Sequence, residues 1–161
     1  MKQKLSFFIL ANLLALIPLT MNAQWKGFSF GPYVEAAWVK GDFATTNNNG
    51  IGAGLAADLK IGGKTNLMGS IGYLRFGRKS ETGSTVLTAV PIRLGLKYKL
   101  PVVYLKLESG SAKMNDDRGT ALIISPGIGF RILGLDVQGS YETWLADEGR
   151  SFAALKIAYH F

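Results

Sequence analysis

The feature that most constrains this chain is an alternation of apolar and polar residues with a period of two. It recurs in eight stretches after residue 23, and no segment in that region repeats at helical spacing. A period of two is that of a β-strand, whose successive side chains point to opposite faces. The stretches cover 27–39, 50–61, 65–77, 85–99, 102–110, 119–132, 134–144 and 151–161. Most span ten or more residues, which suits tilted strands that cross a bilayer.

Charged residues in these stretches keep to one face of each predicted strand. In 85–99, for example, Arg93 and Lys97 alternate with a row of aliphatic residues. The predicted charged face comprises Glu35, Asp58, Lys60, Arg75, Arg93, Lys97, Lys99, Lys106, Glu108, Arg131, Asp136, Glu142 and Lys156. Eight of these thirteen residues are basic and five are acidic. Because an unpaired buried charge costs several kcal/mol, we expect a hydrogen-bonded network. The excess of three positive charges predicts trapped water, a bound anion or lysine side chains that reach toward the ends.

The connections between the predicted strands are alternately long and short. The long ones are 40–49, 78–84, 111–118 and 145–150, and the short ones contain the turns "GGK", "KLPV" and "LGL". This order is typical of an up-and-down barrel with all long loops at one end, as in outer-membrane barrels. We call the two ends the long-loop end and the short-turn end. Both termini are expected at the short-turn end, on the periplasmic side.

The first 23 residues differ from the rest of the chain. Lys2 and Lys4 precede the apolar run "LSFFILANLLALIPL", and a small residue, Ala23, follows at a plausible cleavage point. This order predicts a secretory signal peptide over 1–23, cleaved to leave a barrel domain over 24–161. The alternative is an uncleaved membrane anchor, which Pro18 and Asn22 disfavour because they interrupt the run.

Alternation alone leaves open whether the apolar face points to lipid or into a soluble, ligand-binding barrel. Three features favour lipid: an export signal in a chain without cysteine, frequent small residues on the polar face, and aromatic residues near the strand ends. The aromatics that we assign to two bilayer interfaces are Phe28, Trp38, Phe76, Tyr98, Phe130 and Trp144. The predicted fold is therefore all-β: an eight-stranded antiparallel up-and-down transmembrane β-barrel with an N-terminal signal peptide.

The last strand ends on an aromatic residue without a polar tail. Leu155, Ile157, Tyr159 and Phe161 form one row that we expect to face lipid. Such an ending resembles the C-terminal signal that the barrel-insertion machinery of the outer membrane recognises. We also expect this strand to pair with the first, because closure removes both sheet edges.

Motifs for chemistry are weak. "GIGAGLAAD" imitates a dinucleotide fingerprint, but alternation continues through it and no βαβ unit surrounds it. His160 is the only histidine and offers no Ser–His–acid set, and Asp116 and Asp117 match no calcium-loop spacing. We therefore predict no enzymatic activity, no catalytic or cofactor-binding residues, no cofactor and no metal site.

The net charge of +7 does not indicate nucleic-acid binding, because the basic residues are spread over the strands and an exported protein has little access to nucleic acid.

The segment "AVPIRLGLKYKLPVVYLKLESG" carries a family resemblance. Its Pro, alternating aliphatics, basic–Tyr pair, short turn and acidic–small–Gly ending resemble the outer membrane protein beta-barrel domain family, the PorT-like small Gram-negative barrels. The residues that carry it are Pro91, Leu94, Leu96, Lys97, Tyr98, Tyr104, Glu108 and Gly110. In its eight-stranded architecture the chain also resembles the OmpA-like and OmpX-like barrels. The resemblance implies an integral cell outer-membrane protein of the cell envelope, with no enzymatic activity.

The expected function is structural or interaction-type. Expected partners are outer-membrane lipids and lipopolysaccharide, the insertion machinery during assembly, and an unknown protein at the long loops. Two alternatives stay open at this point: a narrow, porin-like pore for small solutes or anions, and a soluble periplasmic lipocalin-like barrel for an apolar ligand.

Overall fold

The computed structural model describes residues 27–78, 86–115, 119–146 and 149–161. They form eight strands and one short helix. In chain order these are β1 (Phe28–Lys40), α1 (Phe43–Thr46), β2 (Asn47–Lys60), β3 (Thr65–Arg78), β4 (Leu87–Lys99), β5 (Tyr104–Met114), β6 (Thr120–Ile132), β7 (Leu135–Leu145) and β8 (Arg150–Tyr159). The predicted signal peptide lies outside the described residues. Within the described ranges, no helix has the length and apolar character needed to span a membrane.

Every strand pairs with its neighbour in sequence, antiparallel, and β8 returns to β1. The β1–β8 ladder runs from Tyr33 opposite Ala158 to Lys40 opposite Ser151. Beyond β8, the backbone N–H of Phe161 donates to the carbonyl oxygen of Phe30 at 2.9 Å. The predicted eight-stranded up-and-down barrel and its closure are thus confirmed, and closure satisfies the backbone groups that an edge strand would leave free.

Two strands are longer than the alternation predicted. β5 continues through Met114, although we expected a loop from residue 111. Past Gly110 the inward residues become small or apolar, and the outward residues become polar. The alternation therefore continues with its polarity reversed, and for this reason the sequence predicted a loop there. β2 begins at Asn47 instead of residue 50, with a register shift between Asn47 and Gly50. The side-chain amide of Asn48 donates to the Arg78 carbonyl at 2.9 Å and ties this irregular start to β3.

The tightest connection is the two-residue turn between β6 and β7. Leu133 has φ of 49° and Gly134 has φ of 85°. Two consecutive positive φ angles match the type I′ turn, whose twist fits that of antiparallel strands. In the first long connection, by contrast, the chain forms α1 and turns Phe43 into the barrel, where it is 3% exposed. This helix falls in a segment, 40–49, where the sequence predicted a loop.

Candidate functional site

The site that the fold creates is the interior of the barrel, which side chains fill in two distinct halves. The half toward the short-turn end, here the charged half, contains Tyr33, Glu35, Asp58, Arg93, Lys97, Tyr104, Lys106, Glu108, Arg131, Asp136, Gln138, Glu142, Lys156 and His160. The half toward the long-loop end, here the aromatic half, contains Ala37, Phe43, Leu74, Phe76, Leu87, Ala89, Ala112, Met114, Ala121, Ile123, Trp144, Phe152 and Ala154.

At the short-turn end, two aspartates on distant strands share two cations. The Lys97 ammonium donates to Asp58 at 2.8 Å and to Asp136 at 3.0 Å. The Arg131 guanidinium donates to the same two carboxylates, with its Nε 2.9 Å from Asp136 Oδ2. The Tyr104 hydroxyl donates to the other Asp136 oxygen. Charge-assisted bonds across the lumen therefore connect β2, β4, β5, β6 and β7.

One layer further in, Lys106 connects its own strand, β5, to β7, which lies beyond β6. Its ammonium is paired with Glu108 and donates to the Gln138 side-chain oxygen at 3.0 Å. Lys156 lies over the Tyr33 ring, 4.7 Å from its centroid. The Glu108 Oε1 and Ser125 Oγ atoms are buried without a hydrogen-bond partner among the described residues. Buried polar atoms of this kind are the usual ligands of internal water.

Arg93 forms the innermost ionic layer, at the boundary between the two halves. Its guanidinium bonds Glu142 with its Nε and Nη2 atoms at 2.9 and 2.8 Å, and lies 3.2 Å from Glu35. All three side chains are at most 2% exposed. A cation that bridges two carboxylates from β1 and β7 crosses the lumen at mid-height.

The predicted charge network is wrong at three of its thirteen positions. Lys60 and Lys99 are the last residues of β2 and β4 and lie exposed at the short-turn rim, beyond the enclosed interior. Arg75 points outward, because its neighbours Leu74 and Phe76 are the inward residues of β3. Arg75 shares its parity with Ile71 and Tyr73, which are exposed on the outer wall, and the prediction overlooked this apolar row.

These corrections also remove the predicted excess of positive charge. Without Lys60, Arg75 and Lys99, five of the predicted basic residues remain inside, opposite all five carboxylates. Arg150 is a further buried basic residue that sequence analysis missed, at the long-loop end, where its Nη1 lies 3.3 Å from the Met114 sulfur. The predicted network itself is balanced, so it needs no bound anion for neutrality.

The aromatic half corrects two interface assignments. Phe76 and Trp144 are each 0% exposed and lie inside the barrel instead of at the lipid interface. The Phe76 ring packs edge-on against Phe43 at 4.9 Å, Phe152 at 5.3 Å and Trp144 at 6.0 Å between centroids. Edge-to-face packing at these distances is favourable for aromatic rings. Their strand parity, opposite to that of the lipid-facing aliphatics, was the signal that could have located them.

A side-chain hydrogen bond from Trp144 links the aromatic half to the charged half. The Trp144 indole N–H donates to Glu142 at 2.6 Å, while Glu142 also holds Arg93. The tryptophan thus presents its ring to the aromatic half and its only donor to the charged half.

Glycines on the inner face make room for long side chains, as the sequence indicated. A Cβ on Gly127 would lie 2.7 Å from the Lys106 side chain, and one on Gly129 would lie 2.4 Å from the Tyr104 hydroxyl. Both contacts are far below van der Waals separation, so the inward Lys106 and Tyr104 depend on these glycines.

Asp58, Asp136 and His160 bring three potential metal-ligand atoms within 4.8 Å of one another. His160 is buried, and its Nε2 lies 3.8 Å from Asp136. However, Lys97 and Arg131 already neutralise both carboxylates, and a divalent ion would have to displace or repel these cations. The arrangement fits an ion-pair network and does not fit a metal centre.

Most of the outer wall is apolar. Its exposed residues include Val34, Ile51, Leu55, Ile71, Ile92, Leu94, Leu107, Ile128 and Leu155. A soluble barrel for an apolar ligand requires the opposite arrangement, with aliphatics inside, so that alternative is wrong.

The remaining predicted interface aromatics are on this outer wall, near the barrel ends. Phe28, Tyr98 and Phe130 are 38–48% exposed at the short-turn end, and Trp38 is 42% exposed toward the long-loop end. Tyr73 and Tyr141 are exposed in the long-loop half and were missed. In the final row, Leu155, Ile157 and Tyr159 face outward, and the Phe161 ring packs on Tyr159 at 5.1 Å and on Phe30 at 6.3 Å.

A closed eight-stranded barrel with an apolar exterior and a filled, ion-paired interior has the fold of the small outer-membrane barrels. The structure is similar to the crystal structure of Ail, the attachment invasion locus protein of Yersinia pestis. The TM-score is 0.59 at 20% identity, over 84% of this chain and 99% of that chain.

Two other solved barrels show the same fold. They are the N-terminal barrel domain of Pseudomonas aeruginosa OprF (TM-score 0.57, 13% identity, 83% of this chain and 97% of that chain) and Neisserial surface protein A (0.51, 13%, 84% and 97%). No protein-family model matches the chain, and no curated protein matches it.

Proposed function

We propose that this chain is an integral outer-membrane β-barrel with a structural or interaction role in the cell envelope, without enzymatic activity. The observation that carries the proposal is the reversed polarity of the barrel, with aliphatics on the outer wall and ion pairs inside. A bilayer covers the exposed aliphatics, and the ionic layers hold the strands together where no water-filled channel is needed. Residues 1–23 act as the cleaved export signal, and 24–161 form the barrel, as in the PorT-like barrels.

In this proposal the short-turn end faces the periplasm and the long-loop end faces outside. Lipids and lipopolysaccharide cover the wall, and the loops at 40–49, 78–84, 111–118 and 145–150 are the surface for an external protein. Two measurements test the placement: fractionation into the outer membrane with heat-modifiable migration in gels, and protease cleavage of intact cells at a tag inserted in one long loop. Recovery of the protein in the soluble periplasmic fraction would refute the proposal.

The insertion machinery is the proposed partner during assembly, through Leu155, Ile157, Tyr159 and Phe161. Deletion of Phe161, or Phe161→Asp, is expected to reduce the heat-modifiable form in the outer membrane. Phe130→Asp, which changes an aromatic residue at the same end but outside the final strand, is the matched control. Normal insertion of both Phe161 variants would contradict this role.

The pore alternative is disfavoured by the way side chains cross the lumen. Phe43, Phe76, Trp144 and Phe152 pack together across the aromatic half, and Arg93 bridges the lumen below them. We therefore expect no discrete conductance from the purified protein in planar bilayers. Stable single-channel steps would overturn this expectation.

A further inference from the structure

One sector of the outer wall departs from its apolar character. On β5 the outward residues change from Leu105 and Leu107 to Ser109, Ser111 and Lys113 toward the long-loop end, and all five are exposed. The buried inner neighbours Ala112 and Met114 fix the outward direction of Lys113. Polar side chains thus occupy lipid-facing positions from the middle of this strand upward.

Arg75 on β3 belongs to the same sector. The strand ladders place Arg75 opposite Thr88 and Lys113 opposite Val90, so the two basic residues flank β4 on its outer face. Two strand spacings and an offset of two residues separate their Cα atoms by about 12 Å. Both side chains are long enough to approach one ligand that lies over β4.

Neither basic group has a partner among the residues that the structure describes. Across the described ranges, no ion pair or hydrogen bond involves the side chain of Arg75 or Lys113, and no acidic residue shares their sector of the wall. A charge on the lipid face of a barrel is unfavourable unless water or an anion at the interface satisfies it. Thr88 and Thr120 stand opposite Arg75 and Lys113 on β4 and β6, and add hydroxyl groups around the pair.

Two separated cations with hydroxyl groups between and beside them match a phosphorylated sugar headgroup better than a single small phosphate ester. Charge-assisted bonds to phosphate satisfy the Arg and Lys side chains, and the Ser and Thr hydroxyls reach sugar and acyl-amide groups. We propose that Arg75 and Lys113, with Ser111 and Thr88, form a site for a phosphorylated acyl-disaccharide lipid, the chemistry of the lipid A part of lipopolysaccharide. This inference rests on the proposed function, because it requires the long-loop end to lie in the outer leaflet.

The test is a lipid titration of the full barrel in detergent, followed by native mass spectrometry. The probes are diphosphoryl lipid A, lipid A with its phosphates removed, and phosphatidylglycerol. The wild-type barrel is expected to bind diphosphoryl lipid A at least about tenfold more tightly than either other lipid, since the phosphates make charge-assisted bonds. Equal binding of phosphatidylglycerol or of the dephosphorylated form would overturn the assignment.

Variants locate the site. Arg75→Gln combined with Lys113→Gln is expected to bring the affinity for diphosphoryl lipid A within about threefold of that for the dephosphorylated form. The matched control, Lys60→Gln with Lys99→Gln, removes two exposed positive charges at the opposite rim and should bind as the wild type does. Unchanged binding by the first double variant, or an equal loss in the control, would refute the site.

Folding is checked by heat-modifiable migration of each variant. If the Gln pair does not fold, Arg75→Lys with Lys113→Arg keeps both charges and should retain tight binding, and its loss of binding would count against the site. The titration uses purified barrel, so its failure is distinguishable from failure of the proposed function, which fractionation of cells tests independently.

Discussion

The two halves of the barrel interior are lined by the same eight strands, yet they are filled in opposite ways. In the charged half, five cations and five carboxylates from seven of the eight strands are paired or close enough to interact. In the aromatic half, rings pack with centroids 4.9–6.0 Å apart, among aliphatic and alanine side chains. The pleat determines which residues point inward, but it does not determine how they fill the space.

The difference also separates two kinds of contribution to stability. Buried apolar packing stabilises in proportion to the area and volume that it fills. A buried ion pair adds little compared with an apolar pair of the same size, but the loss of one partner is costly. The charged half should therefore respond most strongly to single changes that leave a charge alone, and the aromatic half to changes that leave a cavity.

The largest effect is expected from Arg93→Met. It leaves Glu35 and Glu142 buried without their cation, which should lower the free energy of unfolding by about 3–5 kcal/mol. The free energy of unfolding is measured by urea titration of the barrel in lipid vesicles. The triple variant Arg93→Met, Glu35→Gln, Glu142→Gln has no orphaned charge and should recover most of the loss. A triple variant as unstable as the single one would show that Arg93 acts by packing instead.

Leu87→Ala should give the next largest effect. Leu87 is fully buried in the aromatic half, and its truncation leaves a cavity that should cost about 3 kcal/mol. The control is Leu94→Ala on the outer wall of the same strand, where fluid lipid fills the space and the loss should be smaller. Equal losses in the two variants, measured by the same unfolding assay, would mean that the aromatic half is not tightly packed.

Trp144→Phe tests the bond that joins the halves. It keeps a ring but removes the donor to Glu142, at an expected cost of about 2 kcal/mol, because the acceptor is charged and buried. A double-mutant cycle with Glu142→Gln should give a positive coupling energy. Additive losses would show that the halves are energetically independent.

The smallest effect is expected at charges that the sequence placed inside and the structure places outside. Lys60→Gln and Lys99→Gln should each change the free energy of unfolding by no more than about 0.5 kcal/mol, as exposed substitutions usually do. Lys97→Gln in the charged half is the comparison, and it should lose several times more. A large loss at Lys60 or Lys99 would contradict their exposed position.

Much of the fold was predictable because barrel strands obey local rules. Alternation identified all eight strands, and the order of long and short connections identified the up-and-down topology. The end of a strand was missed where the polar and apolar faces exchange sides, as in β5 beyond Gly110. The charge network was predictable at Asp58, Lys106 or Asp136, each of which alternates with aliphatic residues. It failed at Arg75, whose parity matches that of the outward Ile71 and Tyr73.

The sequence by itself determined that eight strands would form, because side-chain alternation is a property of each strand alone. It also determined that each strand would have one largely aliphatic face. Only the tertiary structure decided which charges meet, since Lys97 finds Asp58 and Asp136 across the lumen, 39 residues away in each direction. It likewise decided that Phe76 and Trp144 fill the lumen instead of contacting lipid. Partners across a closed barrel depend on register and strand tilt summed over several pairings, which a local pattern does not contain.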